Sequence, residues 1–306
     1  MATVYDKQRA GSLKMRVLPL LFFWIVLGFT QGVLANNQTC SHGEPKRIVL
    51  ATAIPVLDSM ARTLTRDTTI DVLYLAPPRN SIKRVPGWVA RQSVEQFPRA
   101  DLILAMTSVW PDIDVYPYLR SQNIAIIPID AAQAMIPGGE RVAVNQSAEK
   151  GPGYFWLNPS NALLMLGIIQ RDLIAVLEQI CLTELVRNQS IEKLKLNFDN
   201  ASKRLRLLQV ELDGRLGNLD VLQVAVEKPE QLPLAQATLL PETGWAEAVE
   251  SGIPTLLITA RKVGHKKLAD LPSHVHLWHI DDFGKVRDDD FLTRWQALVA
   301  ALGKFD

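Results

Sequence analysis

The longest regular pattern of apolar and polar positions runs from Thr183 to Leu216. This spacing of three or four residues places the apolar positions on one face of an α-helix, and no proline interrupts the stretch. A helix of 34 residues would be about 50 Å long. We therefore predict one long, rigid connecting helix. A coiled-coil segment is the alternative, which the strand and helix patterns on both sides disfavour. The apolar positions are Ile191, Leu194, Phe198, Ala201, Leu205, Leu208 and Leu212.

Short, apolar, β-branched runs alternate with helical patterns before this helix, as in a doubly wound parallel sheet. A basic loop at 79–88 and a polar, glycine-rich loop at 137–153 connect some of these elements. Asn158 and Pro159 have the residue types that favour the start of a helix. The predicted strands are 47–52, 69–75, 101–105 and 124–129, and the predicted helices are 54–64, 89–97 and 159–181.

The same alternation resumes after the long helix, with strands at 220–226, 254–259 and 275–280 and helices at 245–250 and 291–302. The predicted fold class is therefore α/β, with two doubly wound lobes bridged by one long helix. The predicted domain organisation is a signal peptide at 1–35, an N-terminal lobe at 36–182, the connecting helix at 183–216 and a C-terminal lobe at 217–306.

The N-terminal segment has the layout of a secretory signal. A basic region ends at Arg16, the apolar run 17–29 follows, and Ala35 offers a small residue for cleavage. A membrane anchor is the alternative, but the run is shorter than the roughly 20 residues needed to span a bilayer. We expect cleavage, a periplasmic location, and no other membrane-spanning stretch. If exported, Cys40 and Cys181 could form a disulfide or remain two unpaired thiols.

Charge and motifs narrow the class of function. The whole chain has a net charge of +1, and the first 35 residues carry +3 of it, so that the remainder is close to neutral at −2. The chain after residue 35 therefore lacks the excess of basic residues that is typical of a nucleic-acid-binding protein. No dinucleotide or Walker phosphate loop, no GxSxG elbow and no HExxH helix occurs. We therefore predict a binding protein; a secreted α/β enzyme is the less favoured alternative.

Two clusters have residue types that can bind ligands. Four histidines, at 265, 274, 276 and 279, invite a metal site, but one strand directs them to opposite faces, which suits a half-exposed sheet edge better. The basic loop contains Lys83 and Arg84, with Trp88 at its end. It is either a plain solvated loop or the lip of an anion-binding pocket.

The segment Tyr154 to Ala162, YFWLNPSNA, resembles the HxWLDPxNA segment of zinc- and manganese-type solute-binding proteins of ABC importers, the ZnuA/TroA-like family. The long helix that follows, the strand at 254–259 and the closing HIDDFG segment are similar too. The resemblance covers essentially the mature chain. It implies two α/β lobes bridged by one helix, with a metal between them held by three histidines and a carboxylate.

The resemblance does not supply the family's metal ligands. The histidine positions fall on Tyr154, near Lys83 and near Glu227, and the carboxylate positions fall on Thr259 and Asp281. A lysine at a ligand position would repel a dication or have to lose its proton. Glu227 and Asp281 could still supply two oxygens to a metal, and Tyr154 a third.

The leading hypothesis is an extracytoplasmic solute-binding protein that delivers a small ligand to an ABC permease and its ATPase, and meets the membrane only through the permease. The ligand would be a divalent metal (zinc or manganese), a metal chelate or an anionic small molecule. The alternative is a regulatory or scaffold protein that kept the fold without a ligand. The predicted ligand-binding residues are Tyr154, Glu227, Asp281, Lys83, Arg84 and Trp88, with Glu227 and Asp281 as the candidate metal ligands.

Overall fold

The computed structural model describes residues 47–144, 152–261 and 271–303. The predicted signal peptide, Cys40, His265 and the centre of the glycine-rich loop lie outside the described residues. Cys181 is disulfide-bonded.

The first half of the described chain is built on a four-stranded parallel sheet of order β2-β1-β3-β4. The two central strands are apolar and largely buried, as expected for a parallel sheet covered on both faces. Pro128, which cannot donate a backbone hydrogen bond, lies in the edge strand β4, where that loss is tolerated. The strands are β1 Ile48–Thr52, β2 Ile70–Tyr74, β3 Leu102–Ala105 and β4 Ile127–Asp130.

Helices α1 Pro55–Thr65, α2 Val85–Val89 and α3 Tyr116–Gln122 connect these strands. The prediction of a helix over 89–97 is wrong. Helix α2 lies inside the predicted basic loop instead. Pro86 is tolerated in its first turn because backbone N–H groups at that position have no acceptor within the helix, so the N–H that proline lacks costs no hydrogen bond. Residues Val94–Gln96 form a single 3-10 turn.

Helix α4, Pro159–Gln179, begins as predicted. The Asn158 side chain accepts hydrogen bonds from the backbone N–H groups of Ser160 and Asn161, which caps the helix. By length and composition alone α4 could cross a membrane, contrary to the expectation from the sequence. More than half of its most apolar window is buried inside the protein, as in a core helix.

The long helix is confirmed as α5, Glu184–Gly217, a continuous element of 34 residues. The Thr183 hydroxyl caps its start. Of the seven predicted apolar positions, five are buried and Ile191 and Phe198 are partly buried against the same core. The helix packs on α1 and α4 of the first half and on the last helix of the chain, α8 Phe291–Ala301. One rod therefore contacts both halves.

The second half contains a three-stranded parallel sheet of order β5-β6-β7. Central strand β6 is buried at every residue. Helix α7 has the predicted bounds, whereas the short helix α6 was not predicted. The elements are β5 Gln223–Val226, α6 Leu232–Ala237, α7 Trp245–Glu250, β6 Thr255–Thr259 and β7 Val275–His279.

The two halves share one apolar core, which runs from Ile48 in β1 to Leu302 after α8 and includes residues of both sheets. Only a small second cluster, around Ala225, Ala248, Leu257 and Val275, is separate from it among the described residues. Two parallel sheets and a long helix confirm the predicted α/β class. The exact domain boundaries stay a prediction.

Candidate functional site

A cleft of about 500 Å³ lies at the carboxyl ends of β5, β6 and β7. This is the edge where open parallel sheets bind ligands. Lys228, Arg261 and Asp281 line it from the segments that follow the three strands. Lys83 and Tyr154 line it from the first half of the chain. Both halves therefore contribute side chains to one cavity.

Backbone and side-chain bonds hold the two sides of the cleft together. The Ile82 N–H donates to the Gly284 carbonyl at 2.8 Å, and the Trp156 indole N–H donates to the Asp282 carbonyl at 3.0 Å. Lys83 forms an ion pair with Glu230, the residue whose carbonyl also accepts from the Tyr154 N–H at 2.9 Å. In this structure the two sides of the cleft are therefore in direct contact.

Tyr154 is buried and its ring stacks on that of Trp156, with centroids 4.8 Å apart and planes 18° from parallel. Burial raises the pKa of the Tyr154 phenol, and the nearby Asp282 and Glu230 carboxylates raise it further. The hydroxyl therefore stays protonated at neutral pH, and no described residue forms a hydrogen bond with it. The hydroxyl can donate a hydrogen bond to a ligand oxygen, but the residue is a poor anionic metal ligand.

Asp281 is held by two arginines. Arg294, on α8, donates to both of its carboxylate oxygens at 2.8 and 2.9 Å, and Arg287 lies 3.4 Å from one of them. Burial raises the pKa of the Asp281 carboxyl, but the arginine contacts outweigh burial and the pKa is lowered overall. Asp281 is therefore ionised and its charge is already neutralised.

The turn from Asp281 to Gly284 is tight and strained. The Asp281 and Asp282 side chains accept from the backbone N–H groups of Phe283 and Gly284, at 3.0 and 2.9 Å. Phe283 has a φ of +57°, an unfavourable conformation for a side chain of this size. Its buried ring lies under the Arg294 guanidinium, 4.3 Å from centroid to Cζ, which locks the turn in place.

Glu227 is also engaged. Its carboxylate accepts from the Thr259 hydroxyl at 2.5 Å, and Arg261 lies 3.5 Å from its other oxygen. Two of the residues that the resemblance places at or near metal-ligand positions, Glu227 and Thr259, are therefore bonded to each other. Glu227 borders the cleft through its neighbours Lys228 and Arg261 rather than lining it.

The predicted lip residues separate into two groups. Lys83 lines the cleft, whereas Arg84 and Trp88 are absent from its described lining. The Trp88 ring packs edge-on against Phe97, 5.7 Å between centroids, and belongs to the apolar core. Ligand-binding roles for these residues stay a prediction. Sequence reasoning missed five cationic side chains of the lining, namely Lys228, Arg261, Lys285, Arg287 and Arg294.

The donor set suits a bare metal ion poorly. No group of three or more histidine, cysteine, aspartate or glutamate residues converges anywhere in the described ranges. His274 bonds to the Ala248 carbonyl at 3.1 Å, and His279, at the end of edge strand β7, is exposed. His274 thus behaves as a residue of the sheet edge, the interpretation that the sequence favoured, whereas His279 also lines the cleft.

No family model matches this sequence. No curated protein matches it either. Solved structures do match its fold. A ZnuA deletion mutant with zinc bound is 15% identical, with a TM-score of 0.55, and the match covers 85% of this chain and 100% of the other.

Two further structures agree. FpvC from Pseudomonas aeruginosa in complex with Mn²⁺ is 15% identical, with a TM-score of 0.56 and coverage of 84% of this chain and 99% of its own. A Mn-bound periplasmic metal-binding protein from Candidatus Liberibacter asiaticus is 12% identical, with a TM-score of 0.58 and coverage of 83% and 97%. These similarities show that the chain has the fold of these metal-binding proteins, with parallel sheets and one long helix.

Proposed function

We propose that this protein is the exported solute-binding protein of an ABC importer and captures a small ligand in the cleft. The observation that carries the proposal is the cleft itself. It lies at the carboxyl ends of the second sheet and is closed on its other side by Tyr154 and Lys83 from the first half. Ligand sites between two halves of a chain are typical of binding proteins, and the matched structures are binding proteins.

Binding rather than chemistry is the proposed mechanism. A ligand that contacts both sides of the cleft stabilises the state in which those sides touch, in proportion to its preference for that state. Because α5 packs on helices of both halves, it limits the amplitude of any opening. We therefore propose a small change of shape on binding.

The proposed partners follow from the class of protein. The ligand would pass to an ABC permease driven by its ATPase, after export of the chain to the periplasm through the N-terminal signal segment. The matched structures hold zinc or manganese, so a divalent metal or a metal chelate is one proposed class of cargo, and an anionic small molecule is the other. Asp281, Tyr154 and Lys83 are the proposed contacts, with Glu227 beside them.

Native mass spectrometry of freshly isolated protein tests the proposal. We expect an added mass that is lost on denaturation. In Ala297→Trp the new ring would fill the cleft that Ala297 lines, and the added mass should disappear. Gln296→Trp, at the neighbouring exposed position outside the described lining, is the matched control and should keep it.

Calorimetry with zinc and manganese completes the test. A protein that carries no added mass and gives no saturable heat with any small molecule contradicts the proposal and favours the ligand-free regulatory or scaffold protein.

A further inference from the structure

We infer that the ligand of this cleft is a small molecule with two or more negative charges, on carboxylate or phosphate groups, and is not a bare divalent cation. The inference rests on the proposed function, since it names the chemistry of the same ligand. Four observations support it: the charge of the lining, one buried guanidinium, the commitments of the acidic residues, and the size of the cavity.

The lining is predominantly cationic. Six of its side chains are basic and three are acidic. Of the basic ones, Lys83 is paired with Glu230 and Arg261 with Glu227. Lys228 and Lys285 form no ion pair with any described residue. Two ammonium groups are therefore available to an incoming anion. The basic residues are Lys83, Lys228, Arg261, Lys285, Arg287 and Arg294, and the acidic ones are Asp281, Asp282 and Asp289.

Arg294 lines the cleft although it is only 2% exposed. Two of its guanidinium nitrogens are satisfied, Nε by Asp281 and Nη2 by Asp281 and the Lys285 carbonyl. The third, Nη1, is buried and has no hydrogen-bond partner in the described part of the chain. Leaving a buried, charged donor without an acceptor is costly. An oxyanion at the base of the cleft would supply that acceptor.

Two acidic residues at the cleft, by contrast, are already held by arginines. Asp281 is shared by Arg294 and Arg287, and Glu227 is bonded to Thr259 and Arg261. A dication bound to either carboxylate would have to displace a guanidinium group and then lie beside the charge that it displaced. Such like charges repel at close range, and more strongly where water is partly excluded. The other two acidic residues of the lining, Asp282 and Asp289, belong to no group of three metal-ligating side chains in the described ranges. The site therefore selects against bare Zn²⁺ or Mn²⁺.

Cavity size points to an organic or polyatomic anion. A volume of about 500 Å³ lies in the range of pockets that hold small organic molecules, roughly 300 to 1,000 Å³. A metal ion bound directly by side chains at about 2.0–2.2 Å would leave most of that space empty. Tyr154, whose protonated hydroxyl has no bond to any described residue, adds a neutral donor for one ligand oxygen.

Titration calorimetry on the full-length purified protein tests the inference, with citrate and pyrophosphate as separate probes and zinc chloride as the cation. We expect saturable binding of at least one of the two anions and no saturable binding of zinc. Which anion binds distinguishes a carboxylate ligand from a phosphate ligand. Raising the ionic strength from about 0.01 to about 0.15 M should weaken anion binding, because the Debye length falls from about 30 to about 8 Å.

Two variants locate the site. Lys228→Ala and Lys285→Ala should each weaken anion binding by about tenfold, the effect of losing one charge-assisted hydrogen bond. Arg206→Ala removes an exposed cation on α5, outside the described lining, and we expect it to bind as the wild type does. Neither lysine forms an ion pair with a described residue, so both variants should fold.

Two outcomes would overturn the inference. Saturable binding of zinc with no response to either anion would do so, while leaving the proposed solute-binding function intact. Absence of binding by both anions in a folded protein would do so as well. In that case the co-purified mass described above decides separately whether the protein binds any solute.

Discussion

Arg294 donates from Nε and Nη2 to the two carboxylate oxygens of Asp281, at 2.8 and 2.9 Å, and so connects helix α8 to the end of strand β7. The arginine is buried and the carboxylate largely so. The pair therefore organises the floor of the cleft. It also engages, in an ion pair, one of the two carboxylates that were the candidate metal ligands.

We predict that Asp281→Asn lowers the free energy of unfolding by about 3 kcal/mol, because it leaves the buried Arg294 charge without its partner. Urea denaturation at pH 7 measures this. Asp289→Asn, at an exposed carboxylate of the same cleft, is the control and should change stability by less than about 0.5 kcal/mol.

The same pair predicts a dependence on pH. Since the pKa of Asp281 is lowered in the folded protein, its stabilising effect is present above the unfolded-state pKa of about 3.9 and is lost as the pH falls through the folded-state value. The stability difference between wild type and Asp281→Asn should thus shrink below about pH 4. A difference that stays constant down to pH 2 would contradict this role.

Asp282 is expected to behave in the opposite way. Burial raises its pKa, its backbone bond to Gly284 opposes this in part, and neighbouring Asp281 raises it further. A carboxyl with a raised pKa destabilises the fold at pH values above that pKa. Asp282→Asn, whose amide oxygen can still accept from the Gly284 N–H, should therefore raise the melting temperature at pH 7. The gain should vanish at pH 3, and a lower melting temperature at pH 7 would refute the argument.

The two asparagines of the WLNPSNA segment have separable structural roles. Asn158 caps α4, so Asn158→Ala should cost about 1 kcal/mol. Asn161 is buried and bonds to the backbone of Ala143 at both its oxygen and its nitrogen, and also to the Phe155 carbonyl. Asn161→Ala should cost more, about 2–3 kcal/mol, because it leaves buried backbone groups unsatisfied. Equal costs in urea denaturation would argue against this ranking.

The Lys83–Glu230 ion pair links the two sides of the cleft and is partly exposed. Such pairs contribute about 0.2–1 kcal/mol. Lys83→Ala and Glu230→Ala should each cost no more than about 1 kcal/mol, and a double-mutant cycle should return a coupling energy of that size. A coupling energy of zero would show that the pair does not hold the sides together.

Local periodicity explains why the strands and most of the helices were predictable. The ends of α5 fall within one residue of the prediction, and α7 has the predicted bounds. Helix α2 was misplaced, and helices α3 and α6 were missed, because helices of five to seven residues that contain a proline carry too short a pattern to be recognised. The composition of α4 does not distinguish a buried core helix from a membrane-spanning helix, and only its burial in the structure does so.

The sequence by itself determined the α/β class, the continuous helix and the resemblance to a family of binding proteins, because apolar spacing and capping residues act over a few neighbouring positions. It also predicted the three strands after which Lys228, Arg261 and Asp281 lie. Only the tertiary structure decided which charges meet. Arg294 lies thirteen residues after Asp281 on another element, and Lys83 lies far from Glu230 in the chain. Electrostatic interactions depend on distance in space, so the anionic character of the proposed ligand could be argued only after the chain was folded.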